Sequence, residues 1–124
     1  MVALSFAAVA LTMGTADATR TVRIASHISI KSNELNFSGK VTSPNSACKS
    51  GRHVSLYKRV SGGSGRERVG VSVTGASGKW HVRVSGSAGI SMAHFYAKVR
   101  QRSEGTAGTI FVCKSARSAT ILPH

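Results

Sequence analysis

The feature that most constrains the fold is a short-range alternation of apolar and polar residues along most of the chain. Val, Ile, Phe and Tyr alternate with polar side chains over short runs, and Gly, Ser and Asn separate the runs. A period of two is typical of β-strands that bury one face, and no segment has the helical period of about 3.6 residues. The sequence therefore predicts an all-β protein.

The alternating runs predict about seven strands and a short last one. That number of strands in a chain of 124 residues predicts a single antiparallel β-sandwich, in which each of two packed sheets buries one face. A small barrel is the alternative architecture. The predicted strands span residues 21–30, 35–42, 53–60, 68–74, 79–85, 94–101, 109–114 and 119–122.

Residues 1–18 have the pattern of a signal peptide. An uncharged apolar run is followed by Ala16-Asp17-Ala18, which fits the A-x-A pattern that signal peptidase recognises, although no Lys or Arg precedes the run. Cleavage after Ala18 leaves residues 19–124 as a single domain. We therefore expect a protein that is secreted or held at the cell envelope; a buried N-terminal strand or helix is the alternative.

Two cysteines, Cys48 and Cys113, lie 65 positions apart. In an exported chain an even number of cysteines is typical of disulfide bonding, and the pair lacks the C-x-x-C spacing of zinc and redox sites. The sequence predicts one structural disulfide.

Alternation also assigns each strand a core face and an outer face. The predicted core residues are Leu35, Phe37, Gly39, Val41, Val54, Leu56, Trp80, Val82, Val84, Phe95, Ala97 and Val99. The predicted outer residues include Lys40, Tyr57, Arg59 and Tyr96, together with Lys79, His81, Arg83, His94, Lys98 and Arg100.

The chain is strongly basic, with 17 Lys and Arg against four acidic residues and a net charge of +13. Such a charge attracts polyanions without selecting among them, and the alternative is that it serves only solubility. The candidate face for an anionic partner, either an envelope polymer or another secreted protein, consists of Lys79, His81, Arg83, His94, Lys98 and Arg100. They form one face only if strands 79–85 and 94–101 belong to one sheet. Two tyrosines and no RNP-like motif disfavour nucleic acid.

The sequence offers little to catalysis. After residue 18 the acidic residues are Glu34, Glu67 and Glu104, no Asp remains for a Ser-His-Asp triad, and no G-x-S-x-G motif occurs. The five histidines lack metal-ligand spacing and have Lys and Arg as neighbours. We expect no enzymatic activity, no cofactor and no metal site.

Residues 74–80, Thr-Gly-Ala-Ser-Gly-Lys-Trp, contain a Gly-Lys pair like that of a phosphate-binding loop. That loop needs a glycine where Val73 stands and a Ser or Thr where Trp80 stands, and a helix should follow it. The stretch predicts a turn into a strand, with Trp80 in the core.

Three motifs resemble, in order, those of carboxypeptidase-regulatory-like and transthyretin-like (prealbumin-like) domains. They are Ser38-Gly39-Lys40-Val41, Gly51-Arg52-His53-Val54-Ser55-Leu56-Tyr57 and Ser77-Gly78-Lys79-Trp80-His81-Val82. Residues 95–99 and 113–118 also resemble small exported proteins of high-GC Gram-positive bacteria that carry this domain alone. The resemblance covers about two thirds of the chain and implies an Ig-like or prealbumin-like sandwich.

The resemblance implies a non-catalytic binding or structural module. One branch of the transthyretin-like fold is enzymatic and uses a C-terminal Tyr-Arg-Gly-Ser, whereas this chain ends Leu122-Pro123-His124. The alternative function is a small secreted inhibitor or toxin-like effector that inserts the exposed loop 61–66 into an enzyme.

Overall fold

The computed structural model describes residues 20–60, 65–85, 93–106 and 108–123. The predicted signal peptide, residues 1–18, lies outside these ranges, as do residues 61–64 of the candidate inhibitory loop. Within the described ranges the chain forms strands and one short 3₁₀ helix, Ser46–Cys48. None of the described residues belongs to a helix that is long and apolar enough to cross a membrane.

The described residues form eleven strands, and the prediction of an all-β fold is confirmed. In chain order they are β1 (Arg20–Ile24), β2 (His27–Ile28), β3 (Lys31–Asn33), β4 (Asn36–Thr42), β5 (His53–Val60), β6 (Glu67–Val73), β7 (Lys79–Arg83), β8 (Ala93–Val99), β9 (Arg102–Thr106), β10 (Thr109–Cys113) and β11 (Ala116–Arg117).

Two antiparallel sheets form the sandwich. Sheet I has the strand order β11-β8-β5-β6. In sheet II the central strand β4 pairs with β2 and β3 along one edge and with β7 along the other. The inner faces of the two sheets share one apolar core, so the predicted sandwich is confirmed. Its buried members include Phe37, Val41, Val54, Leu56, Trp80, Val82, Val84, Phe95, Ala97 and Val99, as predicted.

A third, smaller sheet carries the disulfide. Sheet III has the order β9-β10-β1, and the Cys48–Cys113 bond joins the end of β10 to the 3₁₀ helix beside buried Ile24. The predicted disulfide is confirmed. The pairing of β10 with β1 is parallel, which is the one departure from the predicted antiparallel arrangement among the described strands.

The predicted strand 21–30 is divided between two sheets. Its first half is β1 of sheet III, and its second half contributes β2 to sheet II. Between the halves lies Ser26, whose buried hydroxyl accepts a hydrogen bond from Arg52 at 3.0 Å. Near the other end of the chain, β11 lies before the predicted last strand 119–122, in which Ile121 makes a single bridge to Phe95. The short strands β3 and β9 were not predicted.

A fully buried arginine ties these sheets together at one end of the sandwich. The Arg52 guanidinium donates to the carbonyl oxygens of Cys48 at 2.6 Å, Arg100 at 2.9 Å and Lys114 at 3.0 Å. Among the described residues it has no carboxylate partner. Burial lowers the pKa of Arg52, and the nearby positive charge of Arg102 lowers it further. The backbone therefore stabilises this buried charge in place of a counter-ion.

Residues 74–80 form the turn that was predicted from their glycines. The Gly78 backbone has φ 86°, a left-handed conformation that favours glycine, and its N–H donates to the Gly75 carbonyl at 2.9 Å. Trp80 follows at 3% exposure inside the core. This turn carries the chain from sheet I to sheet II.

Candidate functional site

The six candidate residues lie on two different sheets. Lys79, His81 and Arg83 are exposed on β7 of sheet II. On sheet I, β8 carries His94 and Lys98, and Arg100 directly follows it. The inner faces of these sheets pack on each other, so their outer faces point in opposite directions. The condition for one continuous basic face is not met, because the turn 74–78 moves the chain to the other sheet.

The outer face of sheet I carries a row of four aromatic and basic side chains. Arg117 on β11, Tyr96 on β8 and Tyr57 on β5 follow one another across the sheet, and Arg66, directly before β6, completes the row. Tyr57 and Tyr96 are direct register partners. We call these four residues the arginine–tyrosine ladder, and the outer side of sheet I the ladder face.

The ladder is a continuous stack. The two tyrosine rings lie 5.2 Å apart between centroids with planes at 22°. The Arg117 guanidinium carbon lies 3.9 Å from the centre of the Tyr96 ring, and that of Arg66 lies 4.6 Å from the centre of the Tyr57 ring. Attraction between a guanidinium and the negative face of an aromatic ring stabilises both ends.

A hydrogen bond connects the ladder diagonally. One terminal nitrogen of Arg66 donates to the Tyr96 hydroxyl at 2.9 Å. This hydrogen bond is the main cause that raises the pKa of Arg66 above its ordinary value. An arginine has five N–H donors in a rigid plane, so the exposed Arg66 retains donors for another anion.

Tyr96 is the residue whose environment differs from the prediction. It lies on the outer face as predicted, yet only 1% of its surface is exposed. Its ring packs against Tyr57 on one side and against the Arg117 guanidinium on the other. Tyr57 is half-buried for the same reason, whereas Arg66 and Arg117 remain exposed. The tyrosines therefore orient the arginines and present little ring surface themselves.

Further cations surround the ladder. Lys98 is the register partner of Arg117, and Arg68 is that of Tyr57. A shallow depression of about 320 Å³ lies beside the ladder, lined by Tyr57, Arg68, Lys98, Arg100 and the polar residues Ser55, Gln101 and Ser115. His94 is half-buried opposite Arg59. Three of the ladder's basic neighbours thus line one concave surface.

None of the three described carboxylates neutralises the positive charge of the ladder face. Glu67 lies 3.7 Å from Lys58, and Glu104 lies 3.2 Å from Arg102 in sheet III. Glu34 lies in the turn between β3 and β4 of the other sheet. Among the residues that the structure describes, the cations of the ladder face form no ion pair. Their charges are available to an external anion.

On sheet II, the other three candidates lie beside further basic residues. Lys79 is the register partner of Lys40, and Arg83 is that of Asn36. A ring nitrogen of His81 lies 3.2 Å from the side-chain oxygen of Asn36. In the described part of the chain, no three His, Cys, Asp or Glu side chains are grouped closely enough to hold a metal ion.

No family model matches this chain, and no curated protein sequence is similar to it. Among solved structures it is similar to titin domains A168-A170, with a TM-score of 0.39 and 16% identity over 89% of this chain and 34% of that one. It is also similar to the pectate lyase Pel3 of Pectobacterium carotovorum, with a TM-score of 0.35 and 6% identity over 77% of this chain and 26% of that one. At these TM-scores neither likeness assigns a family or a function.

Proposed function

We propose that this protein is an exported, non-catalytic binding module and that the ladder face binds an anionic polymer. The observation that carries the proposal is the ladder itself, two exposed arginines at the ends of a tyrosine pair that form no ion pair with a carboxylate in the described part of the chain. Arginine binds carboxylate, sulfate and phosphate groups through pairs of parallel hydrogen bonds. A guanidinium held in place by stacking loses less conformational entropy when it makes them.

The length of the ladder favours a polymer over a small anion. Neighbouring strands lie about 4.8 Å apart, so the span from β11 to β6 across sheet I is roughly 14 Å. Arg66 and Arg117 both contact Tyr96, but one phosphate or sulfate group cannot contact these two arginines together with Arg68, Lys98 and Arg100 across that span. A chain with repeated charges contacts both ends at once, and Lys98, Arg100 and Arg68 add contacts beside it.

The burial of Tyr96 argues against recognition by base stacking. Proteins that bind single-stranded nucleic acid offer exposed aromatic faces on which bases stack. Here the Tyr96 ring is 1% exposed and already covered by Tyr57 and Arg117. We therefore place the affinity in the guanidinium and ammonium groups, and we expect a polyanion without bases to bind as well as one with bases.

Charge reversal on the ladder face tests this proposal. With heparin as the probe, the variant Lys98→Glu/Arg117→Glu is expected to lose at least about tenfold of its affinity at the ladder face, because it removes two contacts and adds two repulsions. The measurement is an equilibrium titration at fixed ionic strength, repeated in about 0.5 M salt, where binding of the unmodified protein must weaken.

The matched control is Arg20→Glu/Arg23→Glu, which changes net charge by the same amount at exposed positions of β1 in sheet III. We expect the control to retain affinity within about threefold, since only long-range attraction is reduced. Equal losses in the two variants, or binding that does not respond to salt, would contradict a ladder-face site.

We further propose membership of the transthyretin-like or carboxypeptidase-regulatory-like domains. The supporting observation is the placement of the three motifs: the Gly39–Val41 segment is in β4, His53–Tyr57 is in β5, and the last follows the Gly78 turn into β7. Export is likewise a proposal. The disulfide between Cys48 and Cys113 supports it, because such bonds persist in oxidising compartments.

A further inference from the structure

A groove of about 690 Å³ lies on sheet II and extends to the end of β6 in sheet I, where Ser72 and Val73 line it. Its basic side chains are Lys31, Lys40, Lys79 and His81, and its apolar surface comes from Ile30, Val73 and Trp80. We call it the lysine groove. Two of its residues, Lys79 and His81, belong to the candidate set that the sequence predicted.

The charges in the lysine groove oppose one another. Lys40 and Lys79 are direct register partners on β4 and β7, and Lys31 and His81 both pair with Ser38 from opposite edges. Like charges directly across a strand pair destabilise a sheet. No acidic residue is among the described residues that line the groove. An anion bound here would remove a repulsion that the free protein contains.

Backbone atoms of Ser29 and Gly39 contribute to the floor of the lysine groove. At Gly39, any Cβ atom would overlap the carbonyl oxygen of Ser29. The absence of a side chain lets the indole N–H of Trp80 donate to that same oxygen at 3.2 Å. Trp80 is otherwise buried in the core, so the groove is anchored to the rigid part of the sandwich.

We propose that the lysine groove is a second binding site for the same class of anionic polymer, so that one molecule cross-links two polymer chains. This inference rests on the proposed function of the ladder face. The basic side chains of the groove all belong to sheet II, whereas those of the ladder face belong to sheet I. The outer faces of these sheets lie on opposite sides of a sandwich whose sheets pack about 10 Å apart, and a single chain would have to turn around the sandwich edge to contact both sets of cations. Two separate chains occupy them without bending, and polymers with many sites then form a network.

Three variants test cross-linking, with heparin chains of two lengths as the probe. They are the groove variant Lys40→Glu/Lys79→Glu, the ladder variant Lys98→Glu/Arg117→Glu and the control Arg20→Glu/Arg23→Glu. All three change the net charge equally. Titration with a short heparin oligosaccharide gives the number of binding sites, and light scattering with long heparin reports cross-linking. Circular dichroism confirms that each variant is folded.

We expect two oligosaccharide sites and a strong rise in scattering for the unmodified protein and for the control. The groove variant should keep one site, and its affinity at the ladder face should stay within about threefold of that of the unmodified protein. Its scattering signal with long heparin should be at least about tenfold smaller. One site in the unmodified protein, or undiminished scattering in the groove variant, would overturn the second site. Absence of heparin binding by the unmodified protein would instead overturn the proposed function.

Discussion

Replacement of Arg52 by methionine is expected to lower the free energy of unfolding by about 4 kcal/mol or more. The guanidinium is fully buried and donates to the Ser26 hydroxyl and to the carbonyls of Cys48, Arg100 and Lys114. Two of these acceptors, the Ser26 hydroxyl and the Cys48 carbonyl, are buried, and each costs about 1–3 kcal/mol when it is left without a donor. Methionine fills much of the volume and supplies no donor, so the polar loss dominates.

Urea unfolding measures the loss, and Arg23→Met is the matched control because Arg23 is exposed on β1. The control is expected to stay within about 0.5 kcal/mol of the unmodified protein. If Arg52→Met does not fold, Arg52→Lys is the second variant, since it keeps the charge but cannot reproduce the planar set of donors. A loss below about 1 kcal/mol in both Arg52 variants would contradict this role.

Removal of the disulfide is expected to have an effect of similar size. The bond between Cys48 and Cys113 closes a loop with a sequence separation of 65. Constraint of the unfolded chain over such a loop stabilises the native state by about 4 kcal/mol. The variant Cys48→Ala/Cys113→Ala should unfold at a correspondingly lower urea concentration, and reduction of the unmodified protein by a thiol should reproduce the shift.

The disulfide and Arg52 also share a segment, because Arg52 donates to the Cys48 carbonyl. Their effects should therefore not be additive, and a double-mutant cycle built with Arg52→Lys measures the coupling. If the variant Cys48→Ala/Cys113→Ala unfolds at the same urea concentration as the unmodified protein, the disulfide contributes no stability.

The sequence predicted the core because alternation reports which face of a strand is buried. Phe37, Val54, Trp80 and Phe95 all lie where that period places them. Extended by two residues towards the N-terminus, the same alternation places Arg52 on the buried face of its strand, together with Val54. Its charge argued for exposure, and only the surrounding carbonyls of other segments explain its burial.

The candidate site was predicted less completely than the core, because alternation does not say which strands pair. The register that places Tyr57 beside Tyr96 joins segments far apart in the chain. Arg117 lies in a two-residue strand, which is too short to show a period. Arg66 lies before β6, in the loop assigned to a different candidate function. The ladder therefore appears only when the sheet is assembled.

The most direct test of the ladder-face site is a map of backbone amide chemical shifts during titration with a short heparin oligosaccharide. We expect large shifts at residues 55–57, 66–68, 96–100 and 115–117 on the outer side of sheet I, and a second, separate group of shifts in the lysine groove of sheet II. Shifts of equal size at Arg20 and Arg23, the exposed basic residues of β1 in sheet III, would contradict the ladder-face site, because binding would then follow net charge alone.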